Sequence, residues 1–167
     1  FYRQKDWLQT QLICLRKFNT DNKRRNGMRL VQIDNWRDYQ RDGEQFLKTA
    51  QGAYDRKKKT FTPETLYNLT CMAIEKLIMA FLMKNGDLAE NHTMADLLRA
   101  LQLHLGDIPE LAEKLLYLDG FQEICDLDEY TIHIPTEADV IRFLTIGEEV
   151  RAVLYPHISD TQTGATH

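Results

Sequence analysis

Among the charged and titratable side chains of this 167-residue chain, seven are candidates to hold a phosphate or move a proton: Glu75, His92, Arg99, His104, His133, Arg142 and Arg151. Glu75 falls in the most apolar helical stretch, where a buried carboxylate needs a helix N-terminus, a tyrosine or a histidine beside it. A contact with His92 is expected, serving either as a structural tie or as an acid/base pair of the kind that marks some enzyme sites. His92 has a second reading, in which it donates to loop carbonyls or stacks on a neighbouring helix just ahead of Thr93. Arg142 and Arg151 lie nine residues apart in the last helical stretch and are read as pointing in similar directions. They would either contact phosphate in a cleft or pair with Asp139, Glu148 and Glu149.

Other chemistries have no residues to carry them. The sequence contains no Gly-rich phosphate loop, no His-Glu-x-x-His, no Gly-x-Ser-x-Gly and no Glu-x-x-His pair of the di-iron type. Cys14, Cys71 and Cys125 have no metal-ligand spacing, and an odd number is a poor disulfide framework. No metal and no cofactor are expected. No run approaches the roughly 18 apolar residues of a membrane span, and charges interrupt the N-terminal apolar positions, so a cytoplasmic protein without membrane contact is expected. Charge is unevenly placed: residues 1–60 hold 15 Lys/Arg against 7 Asp/Glu, and the remainder 6 against 18, for a net of −4. The basic clusters Lys23–Arg25 and Arg56–Lys59 could attract phosphate backbones or form solvated turns, and no aromatic residues interleave with them.

Low glycine and proline content and the near absence of strand-type alternation point to an all-α domain. Trp7, Leu8, Leu12, Leu15 and Phe18 share one helical face, and the polar stretch that follows to Gly27 reads as a linker. A second helix is expected from an Asp34 cap to about Lys57, weakened by Gly43 and Gly52. A third follows a Thr62 cap and an N1 proline, runs to Met83 and stops at Gly86. Thr93 caps a leucine-rich helix ending at Gly106, and Asp107 caps another bearing Leu111, Leu115, Leu116 and Leu118. A short helical piece to Cys125 and a loop to Pro135 come next. Thr136 to Asp139 then caps a last helix with Val140, Phe143, Leu144, Gly147, Val150, Val153 and Leu154 inward, followed by a polar tail after Pro156. The expected architecture is an up-and-down four-helix bundle over residues 28–158, with an extra N-terminal helix and linker (1–27), a short additional helix and a disordered tail (159–167).

The stretch Tyr67 to Leu82, with Ala73-x-Glu75-x-x-x-x-Ala80, a loop Asn85 to Asn91, and then His92-Thr93-Met94-Ala95-Asp96-Leu97-Leu98, resembles the HEPN family of helix bundles. The resemblance covers roughly Trp36 to His157. It implies a homodimer that binds a nucleotide, RNA or a protein partner such as a nucleotidyltransferase. Many HEPN members are metal-independent ribonucleases of toxin–antitoxin systems, acting through an Arg-x(4-6)-His motif near the dimer axis. Where one subgroup has Arg-Tyr-Pro before the last helix, this chain has Ile132-His133-Ile134-Pro135, losing the arginine, so His133 is either idle or part of a remodelled anion site.

Arg99-Ala100-Leu101-Gln102-Leu103-His104 is a literal match to that motif. RNA cleavage would need the histidine to move a proton at the 2′-hydroxyl or leaving oxygen and the arginine to hold the phosphate, both at one point. Five helical residues turn through ~500°, which leaves the two side chains about 140° apart. The expectation is therefore an interaction module without strong catalysis. The alternative is a toxin-type ribonuclease using His92, His104 or His133 with Arg99 or Arg142.

Overall fold

The computed structural model describes residues 33–121 and 133–159, all within one unit, Val31–His167. The expected N-terminal helix and linker, the short piece to Cys125 and the tail from residue 160 lie outside the described residues. Within them there are five helices and no strand. They are α1 (Trp36–Asp55), α2 (Pro63–Lys84), α3 (Met94–Leu105), α4 (Pro109–Asp119) and α5 (Glu137–Ile158).

Local chemistry sets most of the boundaries. Thr62 accepts the Thr65 N–H at 3.2 Å with Pro63 in the first turn, and Thr93 accepts that of Asp96 at 3.1 Å. Thr136 and Asp139 form a reciprocal capping box on α5. Two expected caps are corrected. Asp34 and Asp107 each stand one residue too early, and the residues in the cap position, Asn35 and Ile108, make no side-chain cap bond. α1 ends where Lys57 takes a φ of 47° and the Lys58 N–H reaches the Ala53 carbonyl at 3.1 Å. α2 ends at Gly86, φ 75°, with the Asp87 N–H on the Leu82 carbonyl at 2.9 Å. α5 runs through Pro156 to Ile158. Proline there forfeits one hydrogen bond in the last turn, and the buried Ile158 keeps that turn packed.

α2 is the axis of the bundle. It is the one described helix long and apolar enough by composition to cross a membrane, and 78% of its most apolar window is buried inside the protein. α1 packs against it in the opposite sense, since the Ile33 N–H bonds the Met83 carbonyl at 2.9 Å. α5 runs in the same sense as α2, from the Tyr67–Phe143 ring contact at 5.1 Å to Lys84 Nζ, 3.4 Å from the Ile158 carbonyl. Two glycines allow this packing. A Cβ on Gly43 would sit 2.9 Å from Leu77 Cγ and 3.1 Å from the Ala73 carbonyl oxygen, and one on Gly147 would sit 2.8 Å from Leu47 Cδ1.

Strict up-and-down alternation fails at one place. His92 Nδ1 lies 2.9 Å from Glu75 Oε1, so residues 85–93 travel back along α2 for nine residues, about 14 Å at 1.5 Å per residue. α3 then runs in the same sense as α2, from Met94 beside Asp119 to the His104 ring beside Phe81. α4 returns, its Leu118 carbonyl accepting the Tyr67 hydroxyl at 2.8 Å. Val153, expected inward, is 39% exposed: Leu154 takes the buried direction, and a ~100° step turns Val153 outward.

The close approach of α1 to α2 gives a paired outcome for glycine replacement. Gly43→Ala should lower stability, because crowding against backbone, typically about 1–3 kcal/mol, exceeds the roughly 1 kcal/mol gained in helix propensity. Gly52→Ala should stabilise by up to that amount, since its Cβ would meet only the mobile end of Arg56. Urea unfolding of both variants checks this, and equal shifts would refute it.

Candidate functional site

Glu75 sits in the middle of α2 at 5% exposure, and the returning 85–93 segment sets His92 against it. At 2.9 Å the contact is within ion-pair distance, but the carboxylate lies off the line of the ring N–H. Neither ring nitrogen reaches solvent or makes an aligned hydrogen bond among the described residues. The pair thus joins the loop to the helix, with the carboxylate buried and the imidazole half-buried.

A turn or two earlier on the same helix, the Tyr67 hydroxyl donates to the Leu118 carbonyl, and burial pushes its ionisation far up. Cys71 is partly buried, and loss of hydration pushes its thiol up to about 12, which leaves it protonated and unreactive at neutral pH. Asp119, at the end of α4, accepts the Met94 and Ala95 N–H groups, both at 3.0 Å. Burial raises its pKa, while those two bonds pull the other way. The N-terminus of α3, where the macrodipole favours an anion, is therefore already filled by a carboxylate of the chain itself. Among the described residues no three His, Cys, Asp or Glu side chains converge to hold a metal.

The structure separates Arg99 from His104. Arg99, 72% exposed at its side chain, pairs with Asp96 at 2.9 Å on the first turn of α3. His104 Nε2 lies 2.8 Å from Asp87 Oδ2, and its ring meets Phe81 edge-on at 5.7 Å. Each is engaged with a different carboxylate, as their angular separation requires.

His133 and Arg142, in contrast, hang on one aromatic cluster. The Arg142 guanidinium lies 3.7 Å over the Tyr117 ring, Tyr117 contacts Phe121 at 5.2 Å, and Phe121 contacts His133 at 6.0 Å. Both side chains are exposed. The Tyr117 hydroxyl donates to Asp139 at 3.2 Å; burial first, and then that carboxylate, raise its pKa. Hydrogen bonds from Thr136 lower the pKa of Asp139.

Arg151 is elsewhere, and the expectation that it points the same way as Arg142 is overturned. Nine residues turn a helix through ~900°, half a turn out of register. Arg142 faces α4, and Arg151 faces α1, where it meets Glu44 at 3.1 Å and Glu148 at 3.7 Å. Gln51 Nε2 completes this network by donating to Glu148 Oε1 at 2.6 Å. These residues belong to a groove of about 570 Å³ between α1 and α5, which sequence reasoning missed. The signal was present, as Arg37, Arg41, Glu44, Lys48 and Gln51 recur at helical spacing on the face of α1 away from its apolar stripe.

Two measurements follow from this geometry. If Glu75 and His92 tie loop to helix, His92→Ala and Glu75→Gln should each destabilise. The double variant should then lose less than their sum by about 1 kcal/mol or more, whereas additivity within about 0.5 kcal/mol would remove the tie. For Asp139 the folded pKa lies below the ordinary carboxylate value of 3.8. Its contribution is therefore present above that value and lost as pH falls through the lowered one. Asp139→Asn should lower the melting temperature at neutral pH, and the gap from the parent protein should close on acidification below the ordinary value.

Comparison with protein-family models, curated proteins and solved structures finds no match to this chain.

Proposed function

We propose that this chain is an interaction module of HEPN-like type, a homodimer that binds a nucleotide, RNA or a protein partner such as a nucleotidyltransferase without strong catalysis of its own. The observation that carries the reading is the separation of Arg99 and His104, each held by its own carboxylate, Asp96 and Asp87. General acid/base work on a phosphodiester requires proton donor and phosphate clamp within hydrogen-bond reach of the same group. The remaining candidates, Arg142, His133 and Arg151, lie toward the surface, where they can meet a ligand. Apolar side chains left open at Leu103, Ile134 and Ile141, at 79%, 75% and 57% exposure, give self-association a surface to cover.

Sedimentation velocity across a micromolar concentration series, beside incubation with total RNA, tests the reading. A concentration-dependent dimer is expected, with RNA profiles indistinguishable from those of an Arg99→Ala/His104→Ala variant. RNA cleavage by the parent protein that this variant loses would replace the reading with a toxin-type ribonuclease. A monomer at every concentration that retains neither nucleotide nor RNA would end it.

A further inference from the structure

We infer that the groove between α1 and α5 is a binding site for a small phosphate monoester that carries hydroxyl groups, as a nucleotide or a sugar phosphate does. The inference rests on the binding function proposed above and gives it a place and a ligand class. The groove, about 570 Å³, is within the size range of small-molecule sites, and every lining residue but Leu47 is polar or charged. Its lining sets four cations, Arg37, Arg41, Lys48 and Arg151, against two carboxylates, Glu44 and Glu148. This is a local positive excess on a chain whose residues beyond 60 are strongly acidic.

The lining side chains fall into two groups with different roles. Arg151, Glu44, Glu148 and Gln51 are tied to one another by contacts of 2.6–3.7 Å, so they form a fixed wall. Lys48 and Gln40, which line the same groove, have neither an ion pair nor a hydrogen-bond partner among the described residues. Arg41 holds only exposed pairs with Asp38 and Asp42, which are weak and can be exchanged. Arg41 and Lys48 are seven residues apart, about 10 Å along the axis, so their long side chains can converge on one phosphate. Charge-assisted bonds to a dianion would be the strongest contacts available there. The carboxylates of Glu44 and Glu148, already neutralised in part by Arg151, accept hydrogen bonds and so select hydroxyl groups beside the phosphate.

Backbone amide NMR of the full chain, titrated at constant ionic strength with AMP, ribose 5-phosphate, inorganic phosphate and adenosine, tests the assignment. Saturable shifts confined to residues 40–51 and 148–151 are expected with the esters, and none with adenosine. AMP alone or both esters acting would identify a nucleotide or the shared phosphate-and-hydroxyl chemistry, respectively. Lys48→Gln, an exposed change that leaves the fold intact, should weaken binding about tenfold. Inorganic phosphate binding as tightly as the esters would overturn the hydroxyl selection, and unchanged affinity in Lys48→Gln would overturn the site. AMP shifts centred on Arg142 and His133 would remove the groove and leave the proposed function standing. No binding of any ester or of an RNA oligonucleotide, together with a monomer in solution, would remove both.

Discussion

Burying α2 on nearly every side is the constraint from which the other features follow. Thirteen of its 22 residues are buried, and they include Thr70 and Glu75 as well as every apolar residue between Ala73 and Met83. A helix this enclosed must have neighbours at short range on two flanks, and side chains at every crossing would hold them apart. Gly43 on α1 and Gly147 on α5 remove the obstruction, letting Leu77 and Leu47 occupy the space that a Cβ would take. The same closeness brings Glu44 and Gln51 of α1 within reach of Arg151 and Glu148 on α5. The polar groove is thus a by-product of how tightly the apolar side is packed.

Enclosure also dictates what becomes of the polar groups inside. Thr70 returns its hydroxyl to the Leu66 carbonyl at 2.8 Å, Tyr67 finds the Leu118 carbonyl, and Glu75 is met by His92. Thr70 is satisfied within α2, whereas Tyr67 and Glu75 reach other elements and so help fix where α4 and the 85–93 return must lie. Asp119 does the same for α3, fastening its first turn and occupying the anion-binding end of that helix. Glu75 and His92, which read as chemistry in isolation, here bring the loop onto the helix.

What was legible in the sequence was whatever depends on neighbours in the chain. The Thr62, Thr93 and Thr136 caps were readable because a cap is set by three or four consecutive residues. Asp34 and Asp107 misled because a side chain one position early looks the same in sequence yet cannot reach the free N–H groups. The Glu75–His92 contact was readable from the demand of a buried carboxylate for a partner. The path that delivers it was not, since a segment running back along its own helix leaves no periodic trace. Gly43 looked like a weakness in α1 when it is the point of closest approach, because its value lies entirely in a residue 34 positions away, Leu77. The groove escaped notice for a related reason: a stripe of charged residues on one helix becomes a site only when a second helix supplies the facing wall.

The two arginines of α5 show how the bundle divides its surface. Arg142 is drawn over Tyr117 toward α4, and Arg151 is drawn between Glu44 and Glu148 toward α1. Because half a helical turn separates them, no single small ligand can engage both. A cleft that used them together would need a second protein surface or an extended strand wrapping around α5. The aromatic support under Arg142 suits a flat, exposed contact, with its charge held in place and open to solvent. The carboxylates beside Arg151 instead make a pocket that discriminates, since an incoming anion must either avoid them or offer donors to them. The proposed small-molecule site therefore lies on the α1 side of α5, where carboxylates flank the cation, whereas the α4 side presents an open arginine on an aromatic ring.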